Sequence, residues 1–270
     1  MDYAHARHAG NAGDVFKHTA LLAVLEELLR EPAPLEYLET HAGDGLYPLG
    51  SNGEWSDGIQ RLWNFSAGGL VGRYAELVRS FSKPGSARPE VYPGSPLLAR
   101  TLLRRPQGPG GPERSGDRLR LFEIDAQSAR VLRRTVPDAE VRQEDGLAQL
   151  AAPSRALVLI DPPYTQKEEW TLAARAAARI PSVPLVLWYP IKALTRPRAL
   201  IGELAREGVH GTAVELHWTP LRLKRDRLNG SGLVFANLPR AAVAAVCAAL
   251  VDLGPALQTH GEWGAVEIGF

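Results

Sequence analysis

Ala156-Leu157-Val158-Leu159-Ile160-Asp161-Pro162-Pro163-Tyr164 is the stretch whose reading decides the fold. Five apolar residues that end abruptly at an acid, two prolines and an aromatic predict a buried parallel strand stopping at a sheet edge. Neither proline continues a ladder or starts a helix freely, so the backbone leaves the strand in a stiff, extended turn. Such a turn sets the Asp161 carboxylate, the Pro162 carbonyl and the Tyr164 ring at the carboxyl end of the sheet, where open α/β sheets bind ligands. Together these groups suit a planar ring bearing an exocyclic amino group. The two oxygens accept the amino hydrogens, and the tyrosine stacks on the ring.

With 270 residues, 45% of them hydrophobic and 23% charged, the chain fits one large α/β domain with a sizeable core. A formal net charge of +1 does not by itself announce a polyanion partner, although local basic patches remain compatible with it. Cys247 is the only cysteine, which excludes a disulfide within the chain and a thiolate metal cluster. It reads as a small buried helix residue. Residues 1–8 lack the apolar core of a signal peptide, and the apolar tract 241–253 is too short to span a bilayer and carries Asp252. These features predict a cytoplasmic protein without a membrane partner. His5 with His8, and His210 with His217, lack a completed ligand set, so no metal is expected.

Outward from the deciding strand, the pattern alternates. Residues 14–30 predict an amphipathic helix, 35–40 a first strand ending in His41-Ala42-Gly43-Asp44-Gly45, and 119–124 and 139–143 further strands. Between 47 and 93 apolar residues recur at helical spacing without a strand between them, which predicts a helical insertion within a single domain spanning 1–270. Residues 106–117, rich in glycine and proline, read as a mobile surface loop. Later strands and helices alternate to the C-terminus. Two late strands joined around Asn229-Gly230-Ser231-Gly232 predict an antiparallel hairpin at one edge. The expected fold is a Rossmann-like α/β architecture with a mostly parallel, doubly wound sheet.

The first strand turn discriminates among nucleotides. Gly43 and Gly45 permit a tight turn and a close ligand approach. A dinucleotide fingerprint wants a third glycine where Pro48 stands, and the Walker pattern is absent. What remains, Glu39-x-x-x-Gly43-x-Gly45, is the arrangement of S-adenosylmethionine (SAM) sites. Glu123 at the next strand end can accept both hydrogen bonds of a ribose diol. Asp145 can accept from an adenine amino group while Gly146 makes room. Taken singly, each acid reads better as a helix N-cap or a solvated loop residue, but acidic or glycine-bearing ends on four successive strands mark one edge as a site.

With these residues in hand, the chain resembles the bacterial 23S ribosomal RNA adenine-N6 methyltransferase family nearly end to end. The resemblance is carried by His8-Ala9-Gly10-Asn11, Asp14-Val15, Lys17-His18-Thr19, Thr40-His41-Ala42-Gly43, Tyr92-Pro93-Gly94-Ser95-Pro96, Asp145-Gly146, the Asp-Pro-Pro-Tyr turn and Leu187-Trp188-Tyr189-Pro190. It implies a SAM-dependent enzyme whose partner is 23S ribosomal RNA, with no obligate protein partner evident. His18, His41, Ser95, Glu123, Asp145, Gly146 and Asp161 match family positions that contact SAM or lie against it, and Lys17 matches a lysine beside the catalytic centre. Tyr3 and His5 match residues implicated with the RNA, and Asp161 matches the proposed proton acceptor. The longer glycine-rich loop, the surroundings of Ala4 and Ala6, and Leu233 in place of a methionine depart from the family pattern.

The chemistry follows from the amine. The adenine N6 lone pair is delocalised into the ring, and hydrogen bonds from its N–H groups to Asp161 and the Pro162 carbonyl would localise it for an in-line displacement. For RNA phosphates the best stretch is 222–227, with Arg222, Lys224 and Arg225; a solvated edge strand guarded by charge is the equal alternative. A DNA adenine methyltransferase, an inactive RNA-binding assembly factor and a nicotinamide oxidoreductase are the competing readings. The last is disfavoured by Pro48 and by the Asp-Pro-Pro-Tyr turn.

Overall fold

The computed structural model describes residues 8–65, 68–106, 114–223 and 228–270. In chain order it begins with α1 (Ala12–Leu28), β1 (Glu36–Glu39), β2 (Leu46–Pro48), α2 (Ile59–Leu62), α3 (Gly69–Arg79), β3 (Val91–Pro93) and α4 (Ser95–Leu103). There follow β4 (Arg118–Phe122), α5 (Ala126–Thr135), β5 (Glu140–Arg142), α6 (Gly146–Gln149), β6 (Ala156–Ile160) and α7 (Glu168–Ala178). The last third holds β7 (Leu185–Ile191), α8 (Thr195–Arg206), β8 (Thr212–His217), β9 (Gly230–Ala236), α9 (Arg240–Leu257) and β10 (Gly264–Gly269).

Eight strands form one sheet in the order β10-β8-β9-β7-β6-β1-β4-β5. The five from β7 to β5 pair in parallel, whereas β9 and β10 run antiparallel to their neighbours. Every residue of β6 is buried, as its unbroken apolar run predicts for a central strand covered on both faces. Leu157 and Leu159 pack into the layer with α1, α3, α4 and α9, while Ala156, Val158 and Ile160 face the layer of α7 and α8. The chain moves outward from β1 through β4 to β5 and then returns to β6 on the other side of β1. The crevice between β1 and β6 is therefore the topological switch point. Asp161 and Glu39 stand on its two sides.

Four expectations are corrected. Helix α1 is not amphipathic: from Ala12 to Leu25 every residue but Asp14 is buried, because the sheet, α3, α4 and α9 surround it. Consecutive strands β8 and β9 pair antiparallel as expected, but the glycines after Asn229 make no turn. Gly230 to Gly232 lie inside β9, which is inserted between β7 and β8, and the edge strand is β10. Their missing side chains serve packing, since a Cβ at Gly232 would fall 2.1 Å from the Tyr189 ring and one at Gly230 would fall 2.4 Å from the Leu216 carbonyl. The end of the glycine-rich loop is anchored rather than mobile. Buried Arg114 donates to Asp117 at 2.8 Å and to the carbonyls of Leu29, Glu31 and Ala33, and residues 107–113 of that loop lie outside the described residues. Helix α9 extends to Leu257, long and apolar enough to cross a membrane by length and composition. Ala242, Val246, Ala249, Leu250, Leu253 and Leu257 nonetheless form a buried stripe in the core that α1 shares. Cys247 is half-buried on this helix, and burial together with Glu267 pushes its thiol pKa up, away from nucleophilic use.

Residues between β2 and β3 pack on the same core. Trp55, Ile59, Leu62, Tyr74 and Val78 are buried in it, and the two strands close the segment as an antiparallel ribbon. Gly58 lies directly on the N-terminus of α1, where its Cβ would sit 2.0 Å from the Gly10 carbonyl. The amide of Ile59 donates to that same carbonyl at 2.9 Å.

Candidate active site at the carboxyl edge of the sheet

The first turn of α1 is built to hold a charge. Asn11 caps the helix by accepting from the Asp14 amide at 2.9 Å, and Asp14 Oδ2 in turn accepts from the Gly10 amide at 3.0 Å. One turn on, the Lys17 ammonium donates to Asp14 Oδ1 at 2.9 Å and to Asp161 Oδ2 at 2.5 Å. Lys17 is 7% exposed. Burial disfavours its charge, but the carboxylates of Asp14 and Asp161 outweigh that and hold its pKa above the ordinary lysine value. Burial works equally against ionised Asp14, and Lys17 again prevails, leaving the Asp14 pKa lowered. The result is a carboxylate–ammonium–carboxylate row that ties α1 to the end of β6.

Glu39, fully buried at the end of β1, accepts from Ser95 Oγ at 2.5 Å and from the Tyr37 hydroxyl at 2.8 Å. Burial pushes its pKa up to about 8, against partial opposition from Ser95, Tyr37 and Lys17. The folded state thus holds this proton more tightly than the unfolded chain, whose glutamate titrates near 4.5. The associated stability is complete below that pH and is lost as pH rises through about 8. The thermal midpoint is expected to fall across this window in the wild type, and the Glu39 component should vanish in Glu39→Gln, whose amide can still bond both hydroxyls. An identical pH slope in the variant would reject a neutral buried Glu39.

His18 is 2% exposed, and burial lowers its pKa to about 3. Nδ1 meets the Tyr92 hydroxyl at 2.7 Å, while Nε2 is buried without a partner among the described residues. His41 lies at the mouth of β1, its Nδ1 2.8 Å from Thr40 Oγ1 and its pKa lowered by burial to about 4. Both imidazoles are neutral at neutral pH.

The glycine bend that follows has left-handed φ angles of 61° at Gly43 and 77° at Gly45, which explains the residue type at both. Glu123 holds it, accepting the Gly43 amide on Oε2 and the Asp125 amide on Oε1, each at 2.8 Å. Each oxygen keeps one further lone pair for a ligand. Asp145 realises the capping alternative, since its Oδ1 accepts the Leu147 and Ala148 amides at 2.9 and 3.2 Å. Gly146 makes room for the protein itself. A Cβ there would fall 2.3 Å from the Thr40 carbonyl, so only glycine lets α6 start against the end of β1.

Pro162 is buried, and Tyr164, two residues on, has a φ of 52°, an uncommon value for a tyrosine. Its hydroxyl donates to the Trp188 carbonyl at 2.8 Å, and its ring packs 4.3 Å from Trp170 and 6.1 Å from Trp188, centroid to centroid. A strained backbone held by such anchors is characteristic of a functional corner. Among the described residues no group of His, Cys, Asp and Glu side chains could hold a metal ion.

Sequence reasoning thus places Lys17, His18, His41, Gly43, Ser95, Glu123, Asp145, Gly146 and Asp161 at one edge. Arg222 is engaged elsewhere, its guanidinium 2.6 Å from Glu262. Tyr3, His5, Lys224 and Arg225 lie outside the described residues. Asp14 as the second partner of Lys17, the aromatic wall of Trp170 and Trp188, and the Tyr74–Tyr92 pair behind His18 were missed. The first left a signal in an acid three residues before the lysine on one helix face, whereas Tyr92 and Trp188 stand in motifs whose spacing does not show these contacts.

The family model described as ribosomal RNA large subunit methyltransferase D, RlmJ, matches residues 32–264. The ribosomal RNA large subunit methyltransferase J of Escherichia coli is 33% identical over 258 residues, covering 88% of each chain. Its Haemophilus influenzae counterpart is 32% identical over the same length and coverage. The crystal structure of a Legionella pneumophila protein superposes with a TM-score of 0.84 at 27% identity, covering 97% of this chain and 98% of that one. By the match of residues 32–264 to that model, and of 88% of its length to these relatives, the chain belongs to the large-subunit ribosomal RNA methyltransferase family RlmJ.

Proposed function

We propose that this protein transfers a methyl group from SAM to the exocyclic N6 of an adenine in 23S ribosomal RNA, in the cytoplasm and without an obligate protein partner. The observation that carries the reading is the Lys17–Asp161 pair at the switch point, beside the glycine bend and a buried imidazole nitrogen with no partner among the described residues. That nitrogen and the left-handed glycine bend fit a nucleoside ligand, one offering polar capacity and the other close backbone approach. His18, His41, Gly43, Ser95, Glu123 and Asp145 would hold SAM, which supplies an electrophilic methyl group when bound.

The protein's own groups do the rest by positioning. Lys17 stays protonated and so is no base. It keeps Asp161 ionised and fixed, and a carboxylate with about four lone-pair sites can still accept from the amine. The Pro162 carbonyl takes the second N–H, and Asp161 receives the proton that the methylated amine sheds. Tyr164, backed by Trp170, offers a stacking face to the everted base, worth about 1–3 kcal/mol. Mass mapping of nucleosides from 23S RNA incubated with the protein and SAM tests the reading. N6-methyladenine in RNA and not in duplex DNA is expected, and unmodified adenine would overturn it.

For the RNA backbone, exposed Lys167, Lys192 and Arg196 join Arg222 as proposed contacts, the exposed Arg222–Glu262 pair being weak enough to yield to a phosphate. Lys167 precedes α7 and Arg196 lies in the first turn of α8, helix ends where a cation opposes the macrodipole and a phosphate would favour it. Lys192 directly follows β7, next to the strand that ends at Asp161. The opposite half of the edge, with Asp44, Glu123, Asp125, Glu144 and Asp145, would repel phosphates. Replacing Lys192 and Arg196 by alanine is expected to weaken RNA binding and to lower the slope of log K against log salt by about 1.5. Replacing exposed Arg130 and Arg134 of α5 is the charge-matched control, and an equal loss there would reject the surface.

A further inference from the structure

Three groups from three separate elements form a hydrogen-bonded chain behind the site. His18 Nδ1 of α1 lies 2.7 Å from the Tyr92 hydroxyl of β3, which lies 2.8 Å from the Tyr74 hydroxyl of α3. All three side chains are buried, and the His18 and Tyr92 rings are near parallel, 19° apart. The chain contains two contacts, and each contact holds one hydrogen. Two neutral tyrosines and a neutral histidine bring three hydrogens, so one must point out of an end of the chain.

Only two arrangements fill both contacts without turning the Tyr92 proton into the core. In the first, His18 Nδ1–H donates to Tyr92 and Tyr92 donates to Tyr74. The spare hydrogen is then on Tyr74, a residue fully buried in the apolar core with no other partner for its hydroxyl among the described residues. In the second, Tyr74 donates to Tyr92 and Tyr92 donates to Nδ1. The spare hydrogen is then on Nε2, at the far edge of the ring. An orphaned buried donor is costly wherever it stands, but a ligand can relieve only the one at Nε2. Burial, which lowers the His18 pKa to about 3, removes the imidazolium as a third possibility.

We propose that Tyr74 and Tyr92 are positioning residues that fix His18 as the Nε2–H tautomer, so that it meets the bound nucleoside as a neutral donor to one of its oxygen acceptors. This rests on the reading of the edge as the SAM site, but the tautomer is testable without a ligand. The segment between β2 and β3 thereby acquires a chemical task, because Tyr74 reaches the ligand only through the relay.

Long-range proton–nitrogen correlation on the ¹⁵N-histidine-labelled full chain reads the tautomer directly. The wild type should show His18 with Nε2 protonated and Nδ1 bare, and Tyr92→Phe should shift the population toward Nδ1–H. Calorimetry with S-adenosylhomocysteine should show an affinity about tenfold weaker for Tyr92→Phe. In a His18→Gln background, whose amide donates without a tautomer to set, Tyr92→Phe should cost nothing further. A wild-type Nδ1–H spectrum, or an equal Tyr92→Phe loss in both backgrounds, overturns the proposal. Absence of S-adenosylhomocysteine binding by a wild type that shows the Nε2–H spectrum would overturn the ligand half and the site reading, leaving the relay itself intact.

Discussion

Replacing Asp161 by alanine is expected to reduce methyl transfer by on the order of 10³-fold or to below detection, the scale of losing a positioned proton acceptor. The acceptor for the amine and the destination of its proton disappear together. The loss should appear in kcat more than in KM for SAM, because the glycine bend, Glu123 and His18 are untouched. Binding of S-adenosylhomocysteine should be weakened yet measurable by calorimetry. Asp161→Asn keeps an acceptor oxygen but no charge, and it should fall between alanine and the wild type. If the alanine variant retained wild-type single-turnover rates, Asp161 would have no place in the chemistry.

The second large effect concerns stability as well as rate. Lys17→Met should lower unfolding free energy by about 3–5 kcal/mol, the usual cost of removing one partner from a buried ion pair. Two carboxylates, Asp14 and Asp161, would be left facing each other in a largely buried site, with side-chain exposures of 22% and 15%. The pH dependence gives the sign. With Lys17 present, the lowered Asp14 pKa means stability that is present above the ordinary value of 3.8 and is lost only as pH falls through the lowered value. Without it, burial alone acts on the carboxylates and raises their pKa values. Protonation then relieves the variant, so its deficit by chemical denaturation should shrink on going from neutral to mildly acidic pH. A deficit that stays constant or widens there would refute this account of the row.

The alternation of strands and helices, the buried β6 and the glycine bend were legible because each depends on neighbours in sequence. A five-residue apolar run closed by two prolines has few other uses, and a left-handed turn favours the glycines found at 43 and 45. The residues on the strand ends followed from topology, since parallel strands deliver all their carboxyl ends to one edge. Other features were invisible because distant parts of the chain create them. Helix α1 reads as amphipathic, and only the packing of α3, α4 and α9 buries its outer side. Gly230 and Gly232 read as a turn until Leu216 and Tyr189 are placed against them.

The residues alone determined which chemistry is available: an acid and a carbonyl at a locked corner, two glycines opposite, and a lysine followed by a histidine on the first helix. Tertiary structure alone decided what those groups are. It brings Lys17 to Asp161 across 144 positions of sequence, closes Glu39 off from water so that it holds a proton, and leaves one nitrogen of His18 without a partner among the described residues. Charge state and hydrogen-bond capacity are set by burial and by the nearest opposite charge, and neither exists until the chain has folded.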